Sequence, residues 1–440
     1  MSGWEPTDRE VQVLGIGAGP SNLALAVALE EIAPDHLARK TLLLEQHPDV
    51  RWHRNMLLPG VQSQVSFLKD LVTLRNPTSR FTFLSYLHAR GRLDHFVNLA
   101  TFTPYRAEIS DYLQWVANSL GKVSVEYERR CVAVEARWHD DGRLRGWRVR
   151  LQDGSTIACQ DLVVGAGRDP HIPDSFSRLP AERVVHSTQY RARIAELASD
   201  SACRVVVVGG AQSAAEMFRA VHDDLPNCKP TIVMRSVGFM TYETSPFTNE
   251  LFYPSFVDEF FQMSEDSRLR TLHEMRRTNY AGLTPELLEE LYRLLYVQRL
   301  DEEQRTRVIT MTDVVGAQMA GDEVRLELRD QRTGRSAHLA CDLVLLGTGY
   351  EKGMPGLVRQ LAAALGCDEL RLTRNYRVAL DRNGEGAAYL LGVNEETHGM
   401  ADSLLSVLAH RSEDIATDML ARRWPGSVDL DRPAAYERPA

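Results

Sequence analysis

No Cys-x-x-Cys pair occurs among the six cysteines, Cys131, Cys159, Cys203, Cys228, Cys341 and Cys367. Their scatter suggests neither the redox disulfide of a dithiol reductase nor a zinc or other metal site, and buried free thiols are the expectation for most of them. No apolar run reaches the roughly 20 residues that span a bilayer. Met1 to Arg9 is polar and slightly acidic and lacks the basic start of a signal peptide, so a cytoplasmic protein is expected. Positive charge is not in excess either: 51 Lys and Arg face 60 Asp and Glu, a formal net charge of −9. A nucleic-acid surface needs a basic stripe that displaces counterions, so neither nucleic acid nor a membrane is an expected partner. What remains is an ordinary globular composition over 440 residues, enough chain for two or three domains.

Two stretches dominate what is there. Gly15-Ile16-Gly17-Ala18-Gly19-Pro20-Ser21-Asn22 follows the apolar Val11 to Leu14, and Gly209-Gly210-Ala211-Gln212-Ser213-Ala214-Ala215-Glu216 follows Val205 to Val208. Each leaves a β-branched run and enters an Ala-rich one, the strand–turn–helix pattern of a dinucleotide site. Gly15 permits a tight turn, and Gly17 lets backbone amides approach a pyrophosphate. The helix N-terminus beyond Gly19 and Pro20 favours its negative charge. The strand Thr41 to Leu44 ends in Glu45, where an acid reads an adenosine ribose. A solvated strand end is the alternative for Glu45; its context favours FAD. In the second unit the strand Thr231 to Met234 ends in Arg235, which suits the 2′-phosphate of NADPH, with plain surface charge as the alternative. Ala211 puts a methyl where a glycine would admit the pyrophosphate, so nicotinamide binding is expected to be weakened or shifted, not abolished. Two returning strands end in Gly165-Ala166-Gly167 and Gly347-Thr348-Gly349-Tyr350, turns that let backbone pass close to a cofactor. Two dinucleotides in one chain usually mean a flavin reduced by a nicotinamide.

The fold class that follows is α/β, with two Rossmann-like dinucleotide-binding domains, for FAD and NADPH, and a small helical substrate-binding insertion. Helices are predicted over 20–31 and 107–119, the second with Ile109, Tyr112, Leu113 and Val116 at helical spacing. Lys122 to Thr156 reads as antiparallel strands, and Asp322 to Leu328 and Ala337 to Leu346 as further strands. The expected divisions are 1–180 with 340–423 for FAD, 181–245 with 310–339 for NADPH, 246–309 for the helical region, and a frayed tail over 424–440.

The segment Gln64 to Leu71, with Leu74 to Ser79 behind it, is neither amphipathic helix nor clean strand. It crowds Lys69, Asp70 and Arg75 into apolar surroundings, where charge is costly unless paired or liganded. With Trp52-His53, Phe81 to Leu93, Asp111-Tyr112-Leu113 and Thr397-His398-Gly399, it resembles the flavin-dependent N-hydroxylating monooxygenases of siderophore biosynthesis, the L-ornithine N5- and L-lysine N6-monooxygenases. The blocks Phe67 to Leu71, Ser245 to Glu250 and Thr278-Asn279-Tyr280 are specific to that family; the glycine turns are not. The chain departs from the family pattern at Ala211, usually a third glycine, and at Gly347, usually an alanine.

The resemblance implies an enzyme that reduces FAD with NADPH and, through a flavin C4a-hydroperoxide, passes one oxygen of O2 to a terminal amine. L-Ornithine is the expected substrate, with L-lysine or a diamine such as putrescine or cadaverine as alternatives and a non-catalytic flavoprotein as a remote one. A sulfur- or ketone-oxidising relative is disfavoured by the missing Phe-x-Gly-x-x-x-His-x-x-x-Trp signature. By resemblance, Lys69 neutralises the substrate carboxylate, Asn249 and Asn279 bind its head, and Ser403 faces substrate. Without the resemblance, Lys69 paired with Asp70 and two loop-capping asparagines is the alternative. Trp52 and His53 are expected to line the FAD site, Gln64 to lie near the flavin or nicotinamide ring, and His398-Gly399-Met400 to bring backbone to the isoalloxazine. Thr348 and Gly349 join the FAD set, and Gly209, Ala211, Gln212, Ser213, Glu216 and Arg235 form the NADPH set. No side-chain base is required, and a homotetramer is implied.

Overall fold

Strands that are apolar along their whole length bury both faces of a parallel sheet, and this chain has two sets of them. The computed structural model describes residues 9–197, 202–280, 282–300, 304–382 and 384–425. Its strands are β1 (Arg9–Ile16), β2 (Thr41–Leu44), β3 (Ser124–Glu126), β4 (Cys131–Trp138), β5 (Leu144–Leu151), β6 (Thr156–Val164), β7 (Val184–His186), β8 (Arg204–Val208), β9 (Lys229–Val233), β10 (Arg307–Ile309), β11 (Thr312–Ala320), β12 (Glu323–Asp330), β13 (Ser336–Cys341), β14 (Leu343–Leu346) and β15 (Ala387–Leu390). The first sheet runs β3-β2-β1-β6-β5-β4, with β15 beside the second half of β6. Leu14 pairs with Leu42 on one side and Leu162 on the other, in parallel register. The second sheet, β10-β9-β8-β14-β7, is parallel throughout, with Val207 opposite both Ile232 and Leu345. A third, antiparallel sheet, β11-β12-β13, covers the second.

In each of these sheets a parallel strand leads through a glycine turn into a 13-residue helix, Pro20–Ile32 after β1 and Gln212–Asp224 after β8. The first helix is buried from Asn22 to Glu30, packed between its sheet and the helix Leu408–Arg423. An all-round apolar helix of this kind is stable only when covered on both sides. The helix predicted over 107–119 runs Arg106–Ser119, with Ile109, Tyr112, Leu113 and Val116 inward. The helical insertion consists of Pro254–Gln262, Glu265–Asn279 and Pro285–Gln298. Ser264 and Thr284 cap the last two by accepting from the N–H groups of Ser267 and Leu287.

Three expectations need correction. β3 lies parallel to β2 rather than in the antiparallel run. Ala337 to Leu346 is two strands, because the Asp342 carboxylate between them takes the Arg204 N–H at 2.8 Å and its guanidinium at 2.7 Å, turning the chain into the second parallel sheet. The return to the first nucleotide unit therefore comes after β14, not at 340, and β15 completes it. Most of the cysteines are free thiols, as expected: Cys131, Cys159, Cys341 and Cys367; Cys203 and Cys228 form a disulfide, because the Cys203 carbonyl accepts from Lys229 N–H and sets the two chain ends side by side. Of the predicted frayed tail, 426–440 lies outside the described residues. Trp424 is half-buried, its ring edge-on to His36 at 5.2 Å. Among the described residues no helix is long and apolar enough to cross a membrane.

Candidate active site

The first turn is built by backbone contact. Gly17 has φ +87°, and a Cβ there would stand 2.8 Å from the Gly165 carbonyl oxygen. Gly165 in turn abuts Asn22, whose amide donates to the carbonyls of Ile16 at 3.0 Å and Gly17 at 2.7 Å. A Cβ on Gly15 would meet Leu43 at 2.5 Å. Gly17 is thus demanded by handedness and by the crossing of two chain segments, not by the approach of a ligand. The position that opens on free space is Gly19, where a Cβ would meet nothing within 4 Å. Gly19 caps the helix with no side chain, and Pro20 at its first position has no N–H to satisfy. The remaining first-turn N–H groups suit an anion. Glu45 is folded onto this turn, accepting from Ala18 N–H at 3.1 Å and His47 N–H at 3.0 Å, so it is not a solvated strand end. These features fit a dinucleotide whose pyrophosphate lies at Gly19 and whose ribose lies at Glu45.

His53 sits beside this unit with φ +52°, its ring 4.3 Å from that of Trp52. Left-handed backbone in a non-glycine residue is a strain typical of functional sites. Protein packed close about the His53 ring and the nearby Arg106 guanidinium hold it neutral, its pKa lowered to about 3.

The second turn repeats the first. Gly209 has φ +139° and lies against the Gly347 carbonyl; Gly347 lies against Ala214 as Gly165 does against Asn22. Ala211 is the equivalent of Gly19, an extended N-cap with no side-chain cap bond, so its methyl borders the free N–H groups. Ser213 is half-buried in the first turn of the helix. Arg235, just past β9, is exposed and makes no ion pair with any described residue. Its neighbour Ser236 lies against Gly210, where a Cβ would be 2.8 Å from the hydroxyl, so this strand end borders the turn.

Two of the expected NADPH residues act otherwise. Glu216 is buried, its carboxylate held by Arg106 through bonds of 3.0 and 2.9 Å and by Gln212 at 2.8 Å. The Gln212 oxygen accepts from Thr284 N–H at 2.9 Å. Neither side chain is left for a cofactor. Thr348 and Gly349 also sit elsewhere than expected, beyond β14 of the second sheet. The Thr348 hydroxyl donates to the His171 carbonyl, and the Gly349 carbonyl accepts from His171 N–H at 2.9 Å and the His186 ring at 2.8 Å. They fasten the crossing between the two sheets.

The loop carrying Lys69 hangs on residues 102–106: Ser63 N–H donates to Pro104 at 2.7 Å and Phe67 N–H to Phe102 at 2.8 Å. Gln64 is exposed on this loop. Asp70 is turned inward, accepting from Val72 N–H, Thr73 N–H, the Thr73 hydroxyl and Phe83 N–H. It is therefore no partner for Lys69. The half-buried Lys69 ammonium stands 4.9 Å over the Tyr253 ring and pairs with no carboxylate among the described residues; burial lowers its pKa. Tyr253 closes the turn after the helix Pro246–Glu250, which carries Asn249. Ser245 caps that helix, so the exposed Asn249 is not a cap.

Asn279 ends the helix Glu265–Asn279. The next residue, Tyr280, donates its hydroxyl to Glu395 and lies 3.1 Å from the Ser403 hydroxyl; Arg168 reaches Glu395 at 3.6 Å. Ser403 and Tyr280, the residue after Asn279, thus come together, while Glu395 and Arg168, isolated charges in the sequence, carry no signal before folding.

His398 turns its side chain away from the surface. It is fully buried, stacked on Tyr376 at 4.1 Å, with its ring nitrogens bonded to the Arg374 carbonyl at 3.1 Å and to Thr397 at 2.9 Å. Burial lowers its pKa to about 4. The Met400 side chain packs among Phe252, Phe256 and Phe260. Both side chains face the core, so what the segment can offer a ligand is its backbone, where Gly399 has φ +81°.

Two sheets, each with a parallel strand that leads through a glycine turn into an uncapped helix, and a lysine on an adjoining loop that pairs with no described carboxylate, define a two-dinucleotide oxidoreductase. The chain belongs to the L-lysine 6-monooxygenase/L-ornithine 5-monooxygenase family, whose model matches residues 9–352. It is 37% identical to an L-ornithine N(5)-monooxygenase of Pseudomonas aeruginosa, over 94% of this chain and 95% of the relative. The ornithine hydroxylase structure from Pseudomonas aeruginosa superposes with TM-score 0.87 and 35% identity, covering 94% of this chain and all (100%) of that one. The Kutzneria sp. 744 ornithine N-hydroxylase, a complex with reduced FAD, NADP+ and L-ornithine, gives TM-score 0.85 and 34% identity, covering 95% of this chain and 100% of that one.

Proposed function

We propose that the protein is an FAD-dependent monooxygenase that uses NADPH and O2 to hydroxylate the side-chain amine of L-ornithine, giving N5-hydroxyornithine for a siderophore or another hydroxamate. FAD would lie on Gly15 to Pro20 and Glu45, and NADPH on Gly209 to Ser213 with Arg235. Reduced flavin, when bound, supplies the oxygen chemistry. The chain's own task is to bind the amino-acid head and present the terminal amine unprotonated.

The observation that carries this reading is Lys69, half-buried and free of any described carboxylate. An uncompensated cation in such a place is costly unless a ligand supplies the anion. A substrate carboxylate does so, which favours an amino acid over a diamine. Asn249 and Asn279 are assigned to the same head. A cytoplasmic homo-oligomer belongs to this reading; the exposed Tyr292, Tyr296 and Val297 of the helix Pro285–Gln298 support a covered face. The test is NADPH and oxygen consumption, with product analysis, across L-ornithine, L-lysine, putrescine and cadaverine. Hydroxylated ornithine in excess is the expected result. Preference for a diamine would overturn the role of Lys69, and preference for lysine would move the pocket by one methylene, worth about 1–3 kcal/mol.

A further inference from the structure

Arg106 stands where every part of the site meets. Its guanidinium clasps Glu216 of the second-turn helix with two bonds and donates to the Met56 carbonyl at 3.0 Å, three residues past His53. Its own N–H donates to Val61 at 2.9 Å, at the base of the Lys69 loop. On the far side, Gln212 ties Glu216 to Thr284, the cap of the helix Pro285–Gln298. Arg106 and Glu216 are both buried. Asn55 and Arg191 add bonds across the same seam, to the Thr188 and Leu57 carbonyls.

We propose that Arg106 and Glu216 are positioning residues that fix the nicotinamide-binding turn against the flavin-side and substrate loops, acting without touching the cofactor. The inference rests on the NADPH reading above. Buried bidentate pairs are rigid and directional. Hydride transfer in turn demands placement so close that about 1 Å of error costs on the order of a hundredfold. A pair whose two members sit on the two nucleotide units is where that placement is set. Gln212 extends the setting to the helical insertion.

The test uses FAD-loaded protein and two variants, Glu216→Gln and Arg106→Met/Glu216→Met. The first leaves Arg106 unpaired and is exposed to misfolding; the second removes both charges and preserves volume, so it folds. Three readouts are taken: NADP+ dissociation by calorimetry, anaerobic bleaching of the flavin by NADPH, and L-ornithine dissociation. Both variants are expected to bind NADP+ about tenfold more weakly, and to bleach more slowly at saturating NADPH, while FAD content and ornithine affinity stay within about twofold. A double variant with wild-type NADP+ affinity and bleaching rate overturns the proposal and leaves a purely structural ion pair. Failure of the wild-type flavin to bleach with NADPH would instead sink the NADPH reading itself.

Discussion

Lys69→Met removes the ammonium but keeps the stem that lies over Tyr253. Because Asp70 is saturated by four bonds of its own, the variant strands no carboxylate. It also removes a charge whose pKa burial already lowers, so stability should hold or rise slightly. What is lost is one charge-assisted bond to the substrate carboxylate, worth about 1.5–3 kcal/mol, or roughly ten- to a hundredfold in affinity. The ornithine KM should rise by that factor, while anaerobic reduction by NADPH and FAD content remain those of the parent. Putrescine, which has no carboxylate, should be affected little. The pH dependence follows the same logic. The lysine is charged only below its depressed pKa, so ornithine binding should weaken as pH rises through that value, earlier than for an ordinary lysine near 10.5. A variant with unchanged ornithine KM but a lower Tm or lost FAD would refute the reasoning and make Lys69 structural.

Gly17→Ala forces a Cβ to 2.8 Å from the Gly165 oxygen at φ +87°, so the purified variant should be colourless; normal flavin content would show that the crossing can relax. Arg235→Ala should raise the NADPH KM by about tenfold, the worth of one charge-assisted bond, and leave that for NADH unchanged. Equal effects on both coenzymes would remove Arg235 from the 2′-phosphate. His398 is neutral when folded down to about 4, against 6.5 in the unfolded chain. The unfolded state therefore takes up its proton first as pH falls. Stability from this group is complete above the unfolded value and is lost on going down towards the folded one, about 2 kcal/mol by about pH 5. Unfolding midpoints at neutral and acid pH, compared with His398→Gln, check this; an equal acid slope in the variant would contradict it.

The parts legible in sequence were local. Gly15 to Asn22 and Gly209 to Glu216 announce strand, turn and helix because handedness and apolar spacing are set within a few residues. What sequence could not separate was a residue's role from its motif. Glu216 and Gln212 sit inside the nucleotide signature, yet their side chains point to Arg106 and Thr284, more than 70 residues away in either direction. His398 lies in a family block but faces the core, since the stack on Tyr376 is a long-range contact. The split at Asp342 is not legible in sequence because an apolar run on either side reads as one strand, and only the tie to Arg204 marks the change of sheet. Glu395 and Arg168 belong to no pattern until Tyr280 joins them.

The central claim is that oxygen from O2 is placed on the terminal nitrogen of L-ornithine. Purified, FAD-loaded protein given NADPH, L-ornithine and isotopically heavy dioxygen should release N5-hydroxyornithine carrying one heavy oxygen atom, seen by mass spectrometry. NADPH oxidation that yields only hydrogen peroxide, or a hydroxylated product whose oxygen comes from water, would contradict the account.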